Sequence, residues 1–157
     1  MLCGMTLEIG KAFPAFSLQN QDGRVRTLGD YAGKWLVLYV YPKDDTPGCT
    51  IQGKSFTATK ADFESAGIQV VGVSADDVTS HKAFCDKFSF TIDLLADPKQ
   101  ELLGAAKVTQ SEWKGTQYWD RTTFVVDPKG ILRKIYEKVK PDGHEQVLLA
   151  DIKGLRG

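Results

Sequence analysis

The segment Lys34-Trp35-Leu36-Val37-Leu38-Tyr39-Val40-Tyr41 is apolar without alternation after its lysine. A strand with one face in water alternates apolar and polar side chains. An unbroken run instead suits a central strand covered on both faces. Ile68 to Val73 repeats the pattern, and Cys49 to Ala66 between them reads as a helix stopped by Gly67 at its C-terminal turn. Strand–helix–strand of this kind makes a parallel pair with a crossover helix.

The rest of the chain fits a larger sheet. Phe16 to Gln19 and Arg24 to Leu28 flank Asn20-Gln21-Asp22-Gly23 and read as a hairpin with an Asp-Gly turn. Ser74-Ala75-Asp76-Asp77 supplies capping chemistry for a helix through about Phe88. Leu94 to Ala96 reads as a short strand and Lys99 to Ala105 as a short helix. Thr122 to Val126 and Ile131 to Glu137 form a second hairpin across Asp127-Pro128-Lys129-Gly130, and His144 to Leu155 closes the chain as an amphipathic helix. The expected class is α/β: a mixed central sheet with helices on both faces, compatible with a thioredoxin-like core and shared by other three-layer folds. No linker or repeat divides the 157 residues, so one domain spans 1–157, with residues 1–5 read as a flexible tail.

Twenty basic and twenty acidic side chains cancel, which gives no reason to expect a nucleic-acid or anionic-membrane partner. No apolar stretch approaches the length of a membrane span, and the N-terminus lacks the pattern of a signal peptide. Three unevenly spaced cysteines argue against a secreted disulfide scaffold and for a reducing cytoplasm.

Cys49 is the candidate reactive group. It follows Tyr41-Pro42-Lys43-Asp44-Asp45-Thr46-Pro47-Gly48, where a buried strand gives way to a helix. In the first turn of that helix, free N–H groups and the helix dipole favour a thiolate. An unperturbed thiol is roughly 3% thiolate at pH 7, and a pKa near 6 raises this to about 90%, a gain of about 30-fold. Fast attack on a peroxide also needs donors aimed at the leaving oxygen. Thr46, the Gly48 and Cys49 amides and a distant arginine can supply them. Arg121, at the start of the apolar strand 122–126 with Trp119 beside it, is the strongest candidate.

At these residues the chain resembles the peroxiredoxins, whose signature is proline, three residues, threonine or serine, two residues, then the peroxidatic cysteine. Pro42, Thr46 and Cys49 match it, and Arg121 in Arg-Thr-Thr-Phe-Val-Val-Asp matches the family's active-site arginine. The resemblance runs from Leu7 through the turn 127–130, and the segment 39–50 looks like the Q subfamily, the bacterioferritin comigratory proteins. It implies a thioredoxin-like fold and a cofactor-free, metal-free thiol peroxidase acting on hydrogen peroxide and organic hydroperoxides. Cys49 would attack the peroxide and become a sulfenic acid, and Thr46 would hydrogen-bond thiolate and substrate. Arg121 would hold the thiolate and polarise the peroxide, and Pro42 would shield the pocket from water. The subfamily's habit implies a monomer.

Many Q-type members carry a resolving cysteine five residues after the first, where this chain has Lys54; it also has Gln52 where they often have glutamate. A subset resembles this chain in carrying that cysteine on the next helix, which implies that Cys85 resolves Cys49 in an intramolecular disulfide recycled by thioredoxin or a similar dithiol. The alternative for Cys85 is a small buried apolar residue beside Phe84 and Phe88. Two intact helices are poorly placed to bring both Cα atoms within the roughly 7 Å a disulfide requires, so the pairing implies local unwinding. Cys3 is read as incidental, and His81 with Cys85, four apart, as a weak pair of zinc ligands. The competing function is a peroxide sensor or holdase, with the same cysteine switch but no steady turnover.

Overall fold

The computed structural model describes residues 7–156, so the expected tail at 1–5 and Cys3 lie outside the described residues. Seven strands form one mixed sheet in the order β2-β1-β5-β4-β3-β8-β9. These are β1 (Ser17–Gln19), β2 (Val25–Thr27), β3 (Trp35–Val40), β4 (Ile68–Ser74), β5 (Asp93–Ala96), β8 (Thr122–Val126) and β9 (Leu132–Tyr136). The apolar run from Trp35 is the fifth strand of that order and is buried throughout. It pairs in parallel with β4 and antiparallel with β8, and β5 joins β4 in parallel.

Both faces of β3 are covered, and successive residues go to opposite sides. Trp35, Val37, Tyr39 and Tyr41 pack with Phe56, Phe63, Phe84, Leu148 and Ile152, and both described cysteines belong to this layer. Leu36, Leu38 and Val40 pack with Phe13, Phe16, Tyr31, Leu102 and Leu103. Burial on both sides removes the need for alternation, which is why the strand reads as a continuous apolar run. Among the described residues no helix is long and apolar enough to cross a membrane.

The helices are α1 (Pro47–Ala58), α2 (Lys60–Ser65), α3 (Val78–Phe88), α4 (Glu101–Ala105) and α5 (His144–Arg156). Three differ from the sequence reading. The single helix expected from Cys49 to Ala66 is broken at Thr59 into α1 and α2, and α1 begins two residues early, at Pro47. Proline at the first helical position loses nothing, because its missing N–H would have had no partner there. The helix expected from Lys99 starts at Glu101 because Gln100 adopts a left-handed conformation. Ile51 is exposed although apolar; the buried positions of α1 are Cys49, Gln52, Gly53 and Phe56. A further pair of strands, β6 (Gln110–Trp113) and β7 (Thr116–Trp119), forms a separate antiparallel ribbon that the sequence reading left without structure.

Candidate active site

Cys49 is the third residue of α1, behind Thr46 at the N-cap and Pro47 and Gly48 in the first turn. The first three N–H groups of a helix have no carbonyl partner within it, so the segment that carries the sulfur also supplies donors and a positive dipole end. Pro42, Thr46, Pro47 and Gly48 line an open groove of about 720 Å³, whose other wall includes Tyr118, Trp119 and Arg121. Cys49 follows Gly48 into the interior and is only 2% exposed.

Arg121 reaches this groove from the start of β8. Its guanidinium lies against Gly48 so closely that a Cβ there would sit 2.3 Å from Nη2. Glycine at 48 therefore makes the cationic approach to the first turn of α1 possible. Nη1 of Arg121 donates to Oε1 of Gln52 at 2.7 Å. Gln52 is buried on the same face of α1 as Cys49, and its Nε2 has no partner. A neutral amide aims the guanidinium without cancelling its charge.

Asp120, next to Arg121, fixes the backbone there. Its carboxylate accepts from Thr109 and, at 2.6 Å, from Ser111, with Lys138 Nζ at 3.4 Å. Partial burial pushes that carboxyl up, but the two hydroxyl bonds and the lysine charge outweigh it and hold the group below its usual range. The Asp120 N–H donates to the Thr109 carbonyl at 2.8 Å. The β6–β7 ribbon, which carries Tyr118 and Trp119, is thereby knotted to the strand that carries Arg121.

Thr46 departs from its expected part in this state. Its hydroxyl donates to the Lys43 carbonyl at 2.9 Å, and its own carbonyl accepts from the Thr50 amide and hydroxyl. A hydroxyl has one proton to give, so here that proton secures the turn before the helix rather than the sulfur.

Cys85 lies on the buried face of α3, 5% exposed, in the same apolar layer as Cys49, and both are free thiols. Burial, followed by the negative charges of Asp44, Asp86 and Asp22, pushes the Cys85 thiol up to about 12. It is thus held protonated and unreactive while α3 is intact. Burial above all raises the Tyr39 phenol well above its usual range, and Arg121 acts in the opposite sense. Lys54, standing where many Q-type members have their resolving cysteine, places Nζ 5.2 Å from the centre of the Phe88 ring on α3. At its neighbour Gly53 a Cβ would lie 2.3 Å from the Phe90 ring, so glycine lets Phe90 seat directly on α1.

The zinc reading of His81 with Cys85 finds no support in this arrangement. Nδ1 of His81 lies 2.6 Å from Asp44 Oδ2, and Nε2 lies 2.9 Å from the Leu95 carbonyl. Asp44, Asp76 and His81 do cluster within 4.8 Å, but each is engaged in internal hydrogen bonds.

The family model for AhpC/TSA proteins matches residues 9–135. The peroxiredoxin Bcp of Xanthomonas campestris is 39% identical over 94% of each chain. The peroxiredoxin Bcp of Bacillus subtilis is 36% identical, with 96% of this chain and 98% of its own covered. This chain belongs to the AhpC/TSA family, as a peroxiredoxin of the Q type. The fold agrees: a crystal structure of a Xylella fastidiosa peroxiredoxin Q variant superimposes with a TM-score of 0.91 at 32% identity, covering 97% of this chain and 99% of its own. The bacterioferritin comigratory protein of Xanthomonas campestris, studied structurally for alkyl peroxide reduction, gives a TM-score of 0.86 at 36% identity, with 98% and 99% covered. The thioredoxin-like sheet expected from the sequence is that of these peroxiredoxins. The chain is accordingly a thiol peroxidase, in a family that reduces peroxides with thioredoxin-type reductants.

Proposed function

We propose that the chain works as a single peroxiredoxin domain in which Cys49 is the peroxidatic residue and Cys85 the resolving one. The observation that carries this reading is the seat of Arg121 against Gly48, at the mouth of the groove and one residue from the sulfur. The Cys49 thiolate attacks the terminal oxygen of ROOH as the O–O bond breaks. The sulfur is oxidised to a sulfenic acid and the departing RO⁻ takes a proton to become ROH. Arg121 and the N-terminal amides of α1 stabilise the negative charge that grows on the departing oxygen. Thr46 turns its proton from the Lys43 carbonyl to the peroxide, and Pro42 limits water. The groove and its Trp119 wall suit an organic R group as well as hydrogen peroxide.

Resolution follows when α3 loosens. Freed from burial, the Cys85 thiol returns toward its ordinary pKa near 8.5 and its thiolate population rises on the order of a thousandfold. The Cys85 thiolate attacks the Cys49 sulfur, the S–S bond forms as the S–O bond breaks, and the departing hydroxide takes up a proton, equivalent to the one the Cys85 thiol gave up, to leave as water. Thioredoxin or a similar dithiol protein reduces that bond by exchange, returning both thiols. Loop closure by such a disulfide constrains the unfolded chain by roughly 4 kcal/mol, which offsets part of the lost helix contacts. The protein acts as a monomer in a reducing cytoplasm and uses no cofactor.

The test is peroxide consumption with a thioredoxin system, together with disulfide mapping after one equivalent of peroxide. Steady turnover that is lost in Cys49→Ser, with a mapped Cys49–Cys85 bond, is the expected result. A single stoichiometric burst that no dithiol renews would instead identify a peroxide sensor.

A further inference from the structure

The helix that carries Cys85 is held differently at its two ends. In its first turn His81 is fully buried, and both ring nitrogens face acceptors: Asp44 Oδ2 at 2.6 Å and the Leu95 carbonyl at 2.9 Å. Asp44 belongs to the loop that leads into Cys49, and the rest of its carboxylate is satisfied by the Tyr41 hydroxyl at 2.6 Å and the Ser80 hydroxyl at 2.8 Å. Its own N–H donates to Asp76 at 2.9 Å. The cap of α3 is closed as well, by Ser80 N–H to the Asp77 carboxylate at 2.8 Å.

The C-terminal part of α3 has no comparable anchor. It ends on Ser89 in a left-handed conformation. Its polar ties, Lys87 to Asp45 and Lys82 to Asp86 and Asp22, lie between exposed side chains, where ion pairs hold weakly. Its ring contacts, Phe84 with Tyr41, Phe88 and Phe90 and Lys54 of α1 over Phe88, involve no buried hydrogen bond. A buried hydrogen-bonded pair resists separation more than exposed ion pairs do, because parting it leaves buried polar groups without partners.

We propose that Asp44 and His81 form a pin that keeps the first turn of α3 on the Cys49 loop while residues 82–88 unwind to deliver Cys85. This rests on Cys85 being the resolving residue. Both residues act by position and touch neither peroxide nor sulfur. The pin shortens the search. With it, the nearest fixed point before Cys85 is His81, four residues away; without it, and without the Ser80 bond to the same carboxylate, that point is Asp76, tied to the Asp44 N–H, nine residues away. Tether entropy scales as three-halves of the logarithm of length, so the pinned thiol meets Cys49 about threefold more often.

Hydrogen exchange resolved by NMR on the oxidised wild-type protein tests this without any substitution. The expected result is rapid exchange at residues 82–88, with Ser80 and His81 amides protected and a His81 ring N–H signal still visible. Loss of protection through the whole of 78–88 overturns the pin while leaving the Cys49–Cys85 chemistry standing. Absence of that disulfide in the same sample overturns both. In a second measurement, His81→Leu is expected to form the sulfenic acid at the wild-type rate and close the disulfide about threefold more slowly, with more sulfinic acid at high peroxide. Closure as fast as in the wild type, or faster, overturns the pin.

Discussion

Arg121 Nη1 donates to Gln52 Oε1 at 2.7 Å, so the cation of the site is aimed by a residue on the same helix face as Cys49. Hydrogen bonds to charged groups contribute about 1.5–3 kcal/mol. Gln52→Ala frees the guanidinium to wander, and kcat/KM for peroxide is expected to fall by roughly tenfold or more, since 1.4 kcal/mol corresponds to tenfold. The rate of Cys49 oxidation, followed by stopped flow, checks it. An unchanged rate would mean that Arg121 is held by other contacts.

Gly48 separates activity from stability. The three nearest atoms to a methyl at this position all belong to the far end of the Arg121 side chain, with Nη2 at 2.3 Å, and alanine is otherwise the better helix former. Gly48→Ala is therefore expected to keep or slightly raise the melting temperature. It should also push the guanidinium off the first turn of α1 and lower the oxidation rate about tenfold or more, because loss of one aimed donor costs 10²–10³ where such donors dominate. Paired thermal unfolding and stopped-flow traces read both effects. A fall in stability with normal kinetics would reverse the assignment.

Cys85 is protonated and buried in the folded state, so its removal should spare the first step and block the second. Cys85→Ser is expected to give one equivalent of oxidation by peroxide and then a stalled sulfenic acid, with thioredoxin-dependent turnover falling to background. Wild-type protein should lose helical circular dichroism on oxidation, and Cys85→Ser should not. Full turnover in the variant would show that Cys85 only packs.

The unalternating run from Trp35 announced the central strand because burial on both faces leaves a plain sequence signature, and Thr46 and Cys49 at a helix start and Arg121 at a strand start stand where the turn residues and the apolar run put them. The buried face of α1 was not. It runs Cys49, Gln52, Gly53, Phe56, the correct helical interval, but glutamine and glycine do not look apolar, and the apolar Ile51 points outward. Gln52 is buried because Arg121 meets it, and Gly53 because Phe90 fills the space a side chain would take. Both partners lie far along the chain, so no local pattern could reveal them. The β6–β7 ribbon was missed for a related reason: much of it is exposed, and part of its hold is the knot at Asp120 rather than an apolar stripe. His81 and Asp44, 37 positions apart in the chain, are joined in the same way.

His144 gives the fold a pH dependence that can be isolated. It starts α5, with Nε2 2.9 Å from the buried Thr123 hydroxyl and its ring edge-on to Tyr136 at 5.2 Å. Burial lowers its pKa from 6.5 to about 4, against a smaller opposing pull from Asp151. The folded state therefore prefers the neutral ring, and the unfolded chain takes up the proton first. The associated stability is fully present above about pH 6.5 and is lost as the pH falls toward 4. At 1.36 kcal/mol per unit the loss reaches up to about 3 kcal/mol. His144→Gln keeps a hydrogen-bonding side chain but cannot titrate. The stability difference between wild type and this variant, from denaturant unfolding at a series of pH values, should be constant above pH 7 and shrink by that amount down to pH 4. A difference that stays flat across this range would mean that the ring is hydrated and does not carry the linkage.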